Sequence, residues 1–148
     1  MQFSQFIQLS AILAGAVYAI PSPLPNTIML SNGNETVAVE VDGLDTRAIF
    51  GRSDTDCKGS YFCTNKQWFK DQCARAKDKL EDTIYTSGGA KSGVCDGWCG
   101  LFVKGKGCSA TGAELANGYD LIRAGGCQAC GSLYAGSCTI TIDYVSGC

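Results

Sequence analysis

All ten cysteines of the chain lie between Cys57 and Cys148, and none precedes them. So many cysteines in so short a stretch mark a small extracellular domain held by disulfides, because the reducing cytosol would not keep such bonds closed. The even count predicts five bridges. The chain also contains no histidine. It therefore lacks the commonest general base, the commonest metal ligand and every serine or cysteine triad that needs an imidazole. No catalytic residue, metal ligand or cofactor is expected.

The cysteine-free part divides in two. Residues 6–17 form an apolar run broken only by Gln8 and Ser10, and Val17-Tyr18-Ala19 supplies small residues where a signal peptidase reads. Residues 1–19 are thus expected to be a signal peptide, too short in its apolar run for the ~20 residues that cross a bilayer, and the product is expected to be secreted. Pro21, Pro23 and Pro25, the three prolines of the chain, then place an extended spacer. Asn34-Glu35-Thr36 is an N-glycosylation acceptor at Asn34, and Val37, Val39 and Val41 alternate as a short strand does. We read residues 20–52 as a propeptide or flexible arm, with Arg47 or Arg52 as single-basic processing points. The whole chain carries a net charge of −2, yet from residue 57 onward ten Lys and Arg face eight Asp and Glu. Removal of the leader reverses the sign. So small a positive excess supplies no basic stripe for nucleic acid.

Residues 53–148 have the length of one domain whose hydrophobic core alone would be marginal. Five bridges at ~2 to 4 kcal/mol each would supply most of its stability. Thr64-Asn65-Lys66-Gln67 has the pattern of a capping box, and Phe69, Cys73, Ala76, Leu80 and Ile84 follow at helical spacing. The opposite face carries Lys66, Lys70, Asp71, Arg75, Lys77, Asp78 and Glu81, with Asp71 and Arg75 placed for an i,i+4 pair. A second capping box, Thr111-Gly112-Ala113-Glu114, opens a helix through Leu115, Tyr119 and Ile122 that Gly125-Gly126 ends; Gly118 weakens it. Ile140, Ile142 and Tyr144 alternate with Thr139, Thr141 and Asp143 as a half-buried strand. The segment from Trp98 to Val103 reads as another, followed by the turn Lys104-Gly105-Lys106-Gly107. The pattern predicts an α+β fold: a disulfide-rich two-layer α/β sandwich, with an antiparallel sheet packed against two main helices.

The cysteine spacing is more specific than the composition. Cys57-Lys58-Gly59-Ser60 opens the domain with Cys63 closing the segment. Cys127-Gln128-Ala129-Cys130-Gly131-Ser132 follows the second helix, and Leu133-Tyr134-Ala135-Gly136 leads to a terminal strand ending at Cys148. Over residues 54–148 this resembles the killer protein four family, the virally encoded killer toxins of smut fungi. The resemblance implies an extracellular, non-enzymatic, monomeric antifungal protein that acts on a membrane channel or other cell-surface protein of a target cell, with calcium-channel block as the mode of growth inhibition. It also implies that Cys57 pairs with Cys127, Cys63 with Cys130 and Cys73 with Cys148. Cys95, Cys99, Cys108 and Cys138 then have three possible connectivities. Cys99 and Cys138 depart from the family's pattern, as does the absence of a cysteine near Ala113 or Glu114.

In that family a lysine before the cysteine that follows the first helix matters for toxicity, and Lys91, displaced by Ser92-Gly93, is its nearest counterpart. Lys91, Lys104 and Lys106 are therefore candidate target-binding groups, cations on glycine-rich loops suited to a cation channel's mouth. The plain alternative is that they keep the surface soluble. A second reading makes the protein a secreted effector or binding module acting on a host protein or glycan. There Trp68, Trp98, Tyr61 and Tyr134 would stack on a ligand, although aromatics at such spacings read first as core. Cys127 and Cys130 could nominally form a zinc half-site with Cys95 and Cys99, or a redox pair, but a bridge is the stronger expectation. The carboxylates Asp71, Asp78, Glu81, Asp82, Asp96, Glu114, Asp120 and Asp143 are too scattered to suggest a glycosidase pair.

Overall fold

A computed structural model describes residues 27–33, 36–40 and 55–148. The expected signal peptide, the prolines, Asn34, Val41, Arg47 and Arg52 lie outside the described residues. In chain order the elements are β1 Thr27–Ser31, β2 Thr36–Glu40, β3 Thr55–Asp56, α1 Gln67–Asp78, β4 Ile84–Thr86, β5 Gly93–Asp96, β6 Cys99–Lys104, β7 Ser109–Thr111, α2 Gly112–Ala124, β8 Gly131–Ala135 and β9 Cys138–Tyr144.

The alternation at the C-terminus builds the centre of the fold. β9 lies between β8 and β6 in an antiparallel sheet of order β3-β8-β9-β6-β5. Successive side chains on a strand point to opposite faces, so Cys99, Leu101 and Val103 on β6 share one face with Ile140 and Ile142 on β9 and Leu133 on β8. All are buried. Phe69, Cys73 and Ala76 from α1, with Leu115, Tyr119 and Ile122 from α2, complete that core. The disulfide-rich α+β sandwich is therefore present. The other side of β9 is not fully wet: Thr141 is buried, and its hydroxyl is 3.1 Å from that of Ser132 across the strands.

A second sheet was not expected from the sequence. β4 and β7 pair antiparallel, and β1 and β2 extend them to the order β2-β1-β7-β4. The described part of the expected arm is thus a docked hairpin. Leu30 is buried in the core, the Met29 amide donates to Glu114 Oε1 at 3.1 Å, and Ser31 pairs with Ser109.

The two helices differ in how far they follow the sequence pattern. At α2 the Thr111 hydroxyl accepts from the Glu114 amide at 3.2 Å while Glu114 Oε2 accepts from the Thr111 amide at 2.6 Å, a complete capping box. Gly125 follows the last turn and Gly126 takes φ +93°. The expected box at Thr64 does not form. Thr64 Oγ1 accepts from the Lys66 amide at 3.4 Å in a turn ahead of the helix, and the helix starts at Gln67. α1 also stops at Asp78 rather than running to Ile84. Its stripe continues only in sequence, because β4 must pair with β7 and because Tyr85, fully buried, accepts the Glu81 amide on its hydroxyl at 3.0 Å. Leu80 is only partly buried, and Ile84 is 64% exposed. The expected pair between Asp71 and Arg75 is likewise absent: Asp71 accepts from Gln67 at 2.7 Å, and Arg75 reaches Asp96 at 3.0 Å.

Strand parity also decides the bridges. Cys57 bonds Cys127 and Cys63 bonds Cys130, while Cys108 bonds Cys138. The pairing of Cys73 with Cys148 is corrected: Cys73 bonds Cys99, and Cys95 bonds Cys148. Cys73 sits on the buried face of α1, directly over the helix-facing side of β6 where Cys99 points. Cys95 is opposite Gly100 on β5, one residue out of phase with Cys99, and so faces the outer side. The C-terminal segment runs along that side, with the Val145 amide donating to the Trp98 carbonyl at 2.9 Å.

Gly118 has a packing role that its helix propensity hides. A Cβ there would lie 2.5 Å from Ile140 Cδ1 and 2.9 Å from Ile140 Cγ2. Gly118→Ala should gain ~1 kcal/mol of helix propensity but lose ~1 to 3 kcal/mol to overpacking. A lower denaturation midpoint is expected, and a higher one would refute the close approach. Peptide mapping of the unreduced protein should recover Cys73 with Cys99 and Cys95 with Cys148.

Candidate functional site

The chain from Cys57 to Cys63 has no helix or strand of its own and is fixed by its two bridges to the segment leaving α2. Gly59 makes this possible: a Cβ would lie 2.5 Å from Cys130 Cβ and 3.0 Å from Cys63 Sγ. The next amide, Ser60, donates to Asp143 Oδ1 at 2.7 Å, which ties the segment to β9. A turn follows in which the Cys63 amide donates to the Ser60 carbonyl at 2.9 Å and the Phe62 amide to Ser60 Oγ at 3.3 Å. Tyr61 and Phe62 stand at its tip, 97% and 64% exposed. Beneath the turn lies an open groove of about 630 Å³, walled by both disulfides and lined by Lys58, Ser60, Asn65 and Gln128.

The turn joins a row of aromatic rings. Phe62 lies 5.0 Å from the Tyr144 ring and Tyr61 meets Phe62 edge-on at 6.0 Å; Trp98 stacks on Tyr144 at 5.7 Å with the planes within 4°. These are favourable offset and edge geometries. Trp98 is itself held from two sides. Gly97, at φ +55°, makes the tight turn between β5 and β6, the Trp98 amide donates to Gln72 Oε1 on α1 at 3.0 Å, and its carbonyl accepts from Val145. The bridge from Cys95 to Cys148 ties the chain end to the adjacent strand.

The expected core role of the aromatics is corrected. Trp68, Trp98 and Tyr134 are 48%, 43% and 45% exposed, and Tyr61 is almost wholly so. The structure gathers Tyr61 and Trp98 with Phe62 and Tyr144 and leaves Tyr134 on β8 and Trp68 on α1, edge-on to Phe69. Sequence reasoning missed Phe62; Tyr144, expected on a half-buried strand, is partly buried against the core, and its ring also joins the row. The available signal was the pair Tyr61-Phe62 between two cysteines too close together for either ring to reach a core.

The three candidate lysines do not form one cationic site. Lys91 Nζ is 2.5 Å from Glu81 Oε2 and lies over the Tyr85 ring at 5.4 Å. Its pKa is raised, chiefly because the Glu81 carboxylate accepts its hydrogen bond. Lys104 Nζ lies over Phe102 at 4.8 Å and 4.0 Å from Asp143. Lys106 is exposed and makes no ion pair among the described residues. The helical charges, expected to be merely solvated, are largely cross-linked: Lys77 binds Asp120 at 2.6 Å, Lys70 binds Gln128 at 3.1 Å, and Arg75 and Lys79 share Asp96. Lys79 first, then Arg75, lowers the Asp96 pKa.

Every cysteine is oxidised. Cys127 and Cys130 bond different partners, which leaves no thiolate for zinc or for redox exchange. The cluster of Cys63, Cys130 and Asp143 has two of its three donor atoms in one disulfide. Arg123 organises the loop that carries this pair by donating to the Cys127 and Ala129 carbonyls at 2.9 and 2.7 Å, with its guanidinium over Tyr119.

Asp96 stabilises the fold while it is ionised, so its contribution is complete above the ordinary aspartate value of about 3.9 and is lost as pH falls through the lowered value. Lys91 acts oppositely: its contribution is complete below about 10.4 and is lost as pH rises through the raised value. In denaturant midpoints measured against pH, Asp96→Asn should flatten the acid limb below about pH 4 and Lys91→Gln the alkaline limb above about pH 10. Unchanged limbs would remove these pairs from the account of stability.

A family model described as the Meiotically up-regulated gene family, MU117, matches residues 55–148. No curated protein matches the chain.

Proposed function

We propose that this chain, which belongs to the Meiotically up-regulated gene family, is a secreted, non-enzymatic protein that acts by binding the surface of another cell. One observation carries the reading: the exposed rings of Tyr61, Phe62 and Trp98 form a continuous row through the partly buried Tyr144, on backbone fixed by disulfides. Large aromatic side chains are the residues most enriched at the energetic centres of interfaces. A covalently fixed surface also loses little conformational freedom on binding. Five bridges are typical of extracellular proteins. The non-enzymatic part of the reading is supported by the absence of histidine from the sequence and by the other engagements of the carboxylates.

The killer-toxin resemblance supplies a second reading within this class, in which exposed cations obstruct a channel on a competing fungal cell. Lys106 favours it: the residue is exposed and free of ion pairs among the described residues, on a turn held by the bridge from Cys108 to Cys138. Lys91 is less available, since Glu81 already holds its ammonium.

Purified protein should be tested for binding to fungal cells, for growth inhibition and for response in infiltrated host tissue. Phe62→Ala combined with Trp98→Ala should keep the disulfide map and weaken binding and activity by about tenfold or more, while Lys91→Gln stays near wild type. Loss with Lys104→Gln and Lys106→Gln, the aromatic variant remaining active, would replace the aromatic reading with the cationic one.

A further inference from the structure

We infer that the groove between the Cys57–Cys127 and Cys63–Cys130 bridges, with the aromatic turn at its rim, is a subsite for a neutral oligosaccharide. This rests on the reading of the protein as a binding module and names the ligand class. Its volume, about 630 Å³, is within the ~300 to 1,000 Å³ of ordinary small-ligand sites. The chemistry of the lining selects the ligand. Lys58 is the one charged side chain of the lining, and it is paired with Asp56 at 3.4 Å. The remaining polar side chains are amides and a hydroxyl, groups that both donate and accept and so match sugar hydroxyls, which do the same.

Each of these groups is left able to bind. Lys70 donates to Gln128 Oε1 at 3.1 Å, which fixes the amide and leaves its NH₂ to donate. Ser60 Oγ accepts the Phe62 amide and keeps its own proton for a ligand. The Asn65 side chain is exposed and makes no hydrogen bond among the described residues. The turn from Ser60 to Cys63, whose two ends line the groove, carries Tyr61, 97% exposed, and Phe62, 64% exposed beside Tyr144, and aromatic faces of this kind carry a negative quadrupole that attracts the weakly positive C–H face of a pyranose. An anionic glycan or a nucleic acid would need a cluster of free cations, whereas here Lys58 is paired with Asp56 and Lys70 is, among the described residues, the single further ammonium at the lining, engaged with Gln128. A purely apolar protein anchor would use the rings and leave the amides without purpose.

The test is calorimetric titration of the full-length secreted protein with chitohexaose, laminarihexaose and, as the anionic comparison, a heparin hexasaccharide, alongside binding to intact fungal cell walls. Saturable binding of a neutral hexasaccharide, insensitive to salt and weakened about tenfold or more by Asn65→Ala with Gln128→Ala and by Phe62→Ala, is expected. Asp82→Asn, at an exposed residue outside the groove, should leave it unchanged. The groove variants alter exposed side chains, and an unchanged disulfide map and circular dichroism spectrum identify them as folded. Wall or cell binding that no neutral oligosaccharide competes would overturn the oligosaccharide subsite while leaving the binding reading in place. Failure to bind any cell, wall or sugar would overturn both. Binding of heparin alone, or neutral binding indifferent to the groove variants, would also reject the assignment.

Discussion

The antiparallel pairing of β6 with β9, over six residues from Cys99 with Tyr144 to Lys104 with Thr139, divides the molecule into a helix side and an outer side. Residues in one phase face α1 and α2 and bury Leu101, Val103, Ile140 and Ile142. Residues in the other phase face outward and meet the two segments without regular structure, the loop from Cys57 to Cys63 and the C-terminus. A slip of one residue in this pair would exchange the sides. It would carry Cys99 away from Cys73 and bring Phe102 and Lys104 into the core. The disulfide pattern is therefore a consequence of register, and the bridges then hold that register against the unfolded chain.

The outer side has little regular structure to organise it, and the bridges take that part. The aromatic row lies at the end of the β6 and β9 pair, where Tyr144, opposite Cys99, keeps the helix-facing phase, and it draws its other members from the turn before α1 and from the turn between β5 and β6. No single element places them. Their positions depend on Cys63 with Cys130 on one flank and Cys95 with Cys148 on the other, on the Asp143 carboxylate receiving the Ser60 and Tyr144 amides, and on Gly59 and Gly97 allowing close passage. Isolated exposed rings need no explanation, but rings in mutual contact on fixed backbone form the kind of patch that soluble proteins rarely expose without use.

What the sequence made legible follows the same division. Short-range chemistry was readable: the Thr111 to Glu114 box and the terminal glycines of α2, and the alternation of β9, each depend on neighbours in sequence. Tertiary competition was not. Leu80 and Ile84 continue a helical stripe that β4 pairing overrides, and Thr64 has a capping pattern whose hydroxyl serves the turn ahead of the helix. The pairing of Cys73 with Cys148 is implied by a resemblance from whose pattern Cys99 departs; with Cys99 on β6 beneath α1, Cys73 bonds Cys99 and Cys148 bonds Cys95. Of the candidate site, the lysines were conspicuous for their charge, whereas the aromatic row was hidden because its four members are spread from residue 61 to residue 144 and meet only through the fold.

The hairpin of β1 and β2 stands apart from both sides. It precedes the family-matched region, carries no cysteine, and is attached through the Leu30 side chain, the Met29 amide on Glu114, the strand pairing of Ser31 with Ser109, and the Asn32 side-chain amide donating to Ser137 Oγ at 3.0 Å, among other contacts. Glu114 is already the partner of Thr111 in the capping box, so the hairpin borrows an acceptor that α2 needs in any case. Its docking and the aromatic row share no anchoring residue. Every ring of the row, and every bridge and hydrogen bond that holds it, lies within residues 55–148. Loss of the hairpin would open the core at Leu30 and shorten the second sheet, yet it would remove no contact from the row. The proposed binding at the row and the covering of the core by the hairpin therefore rest on separate contacts of one chain.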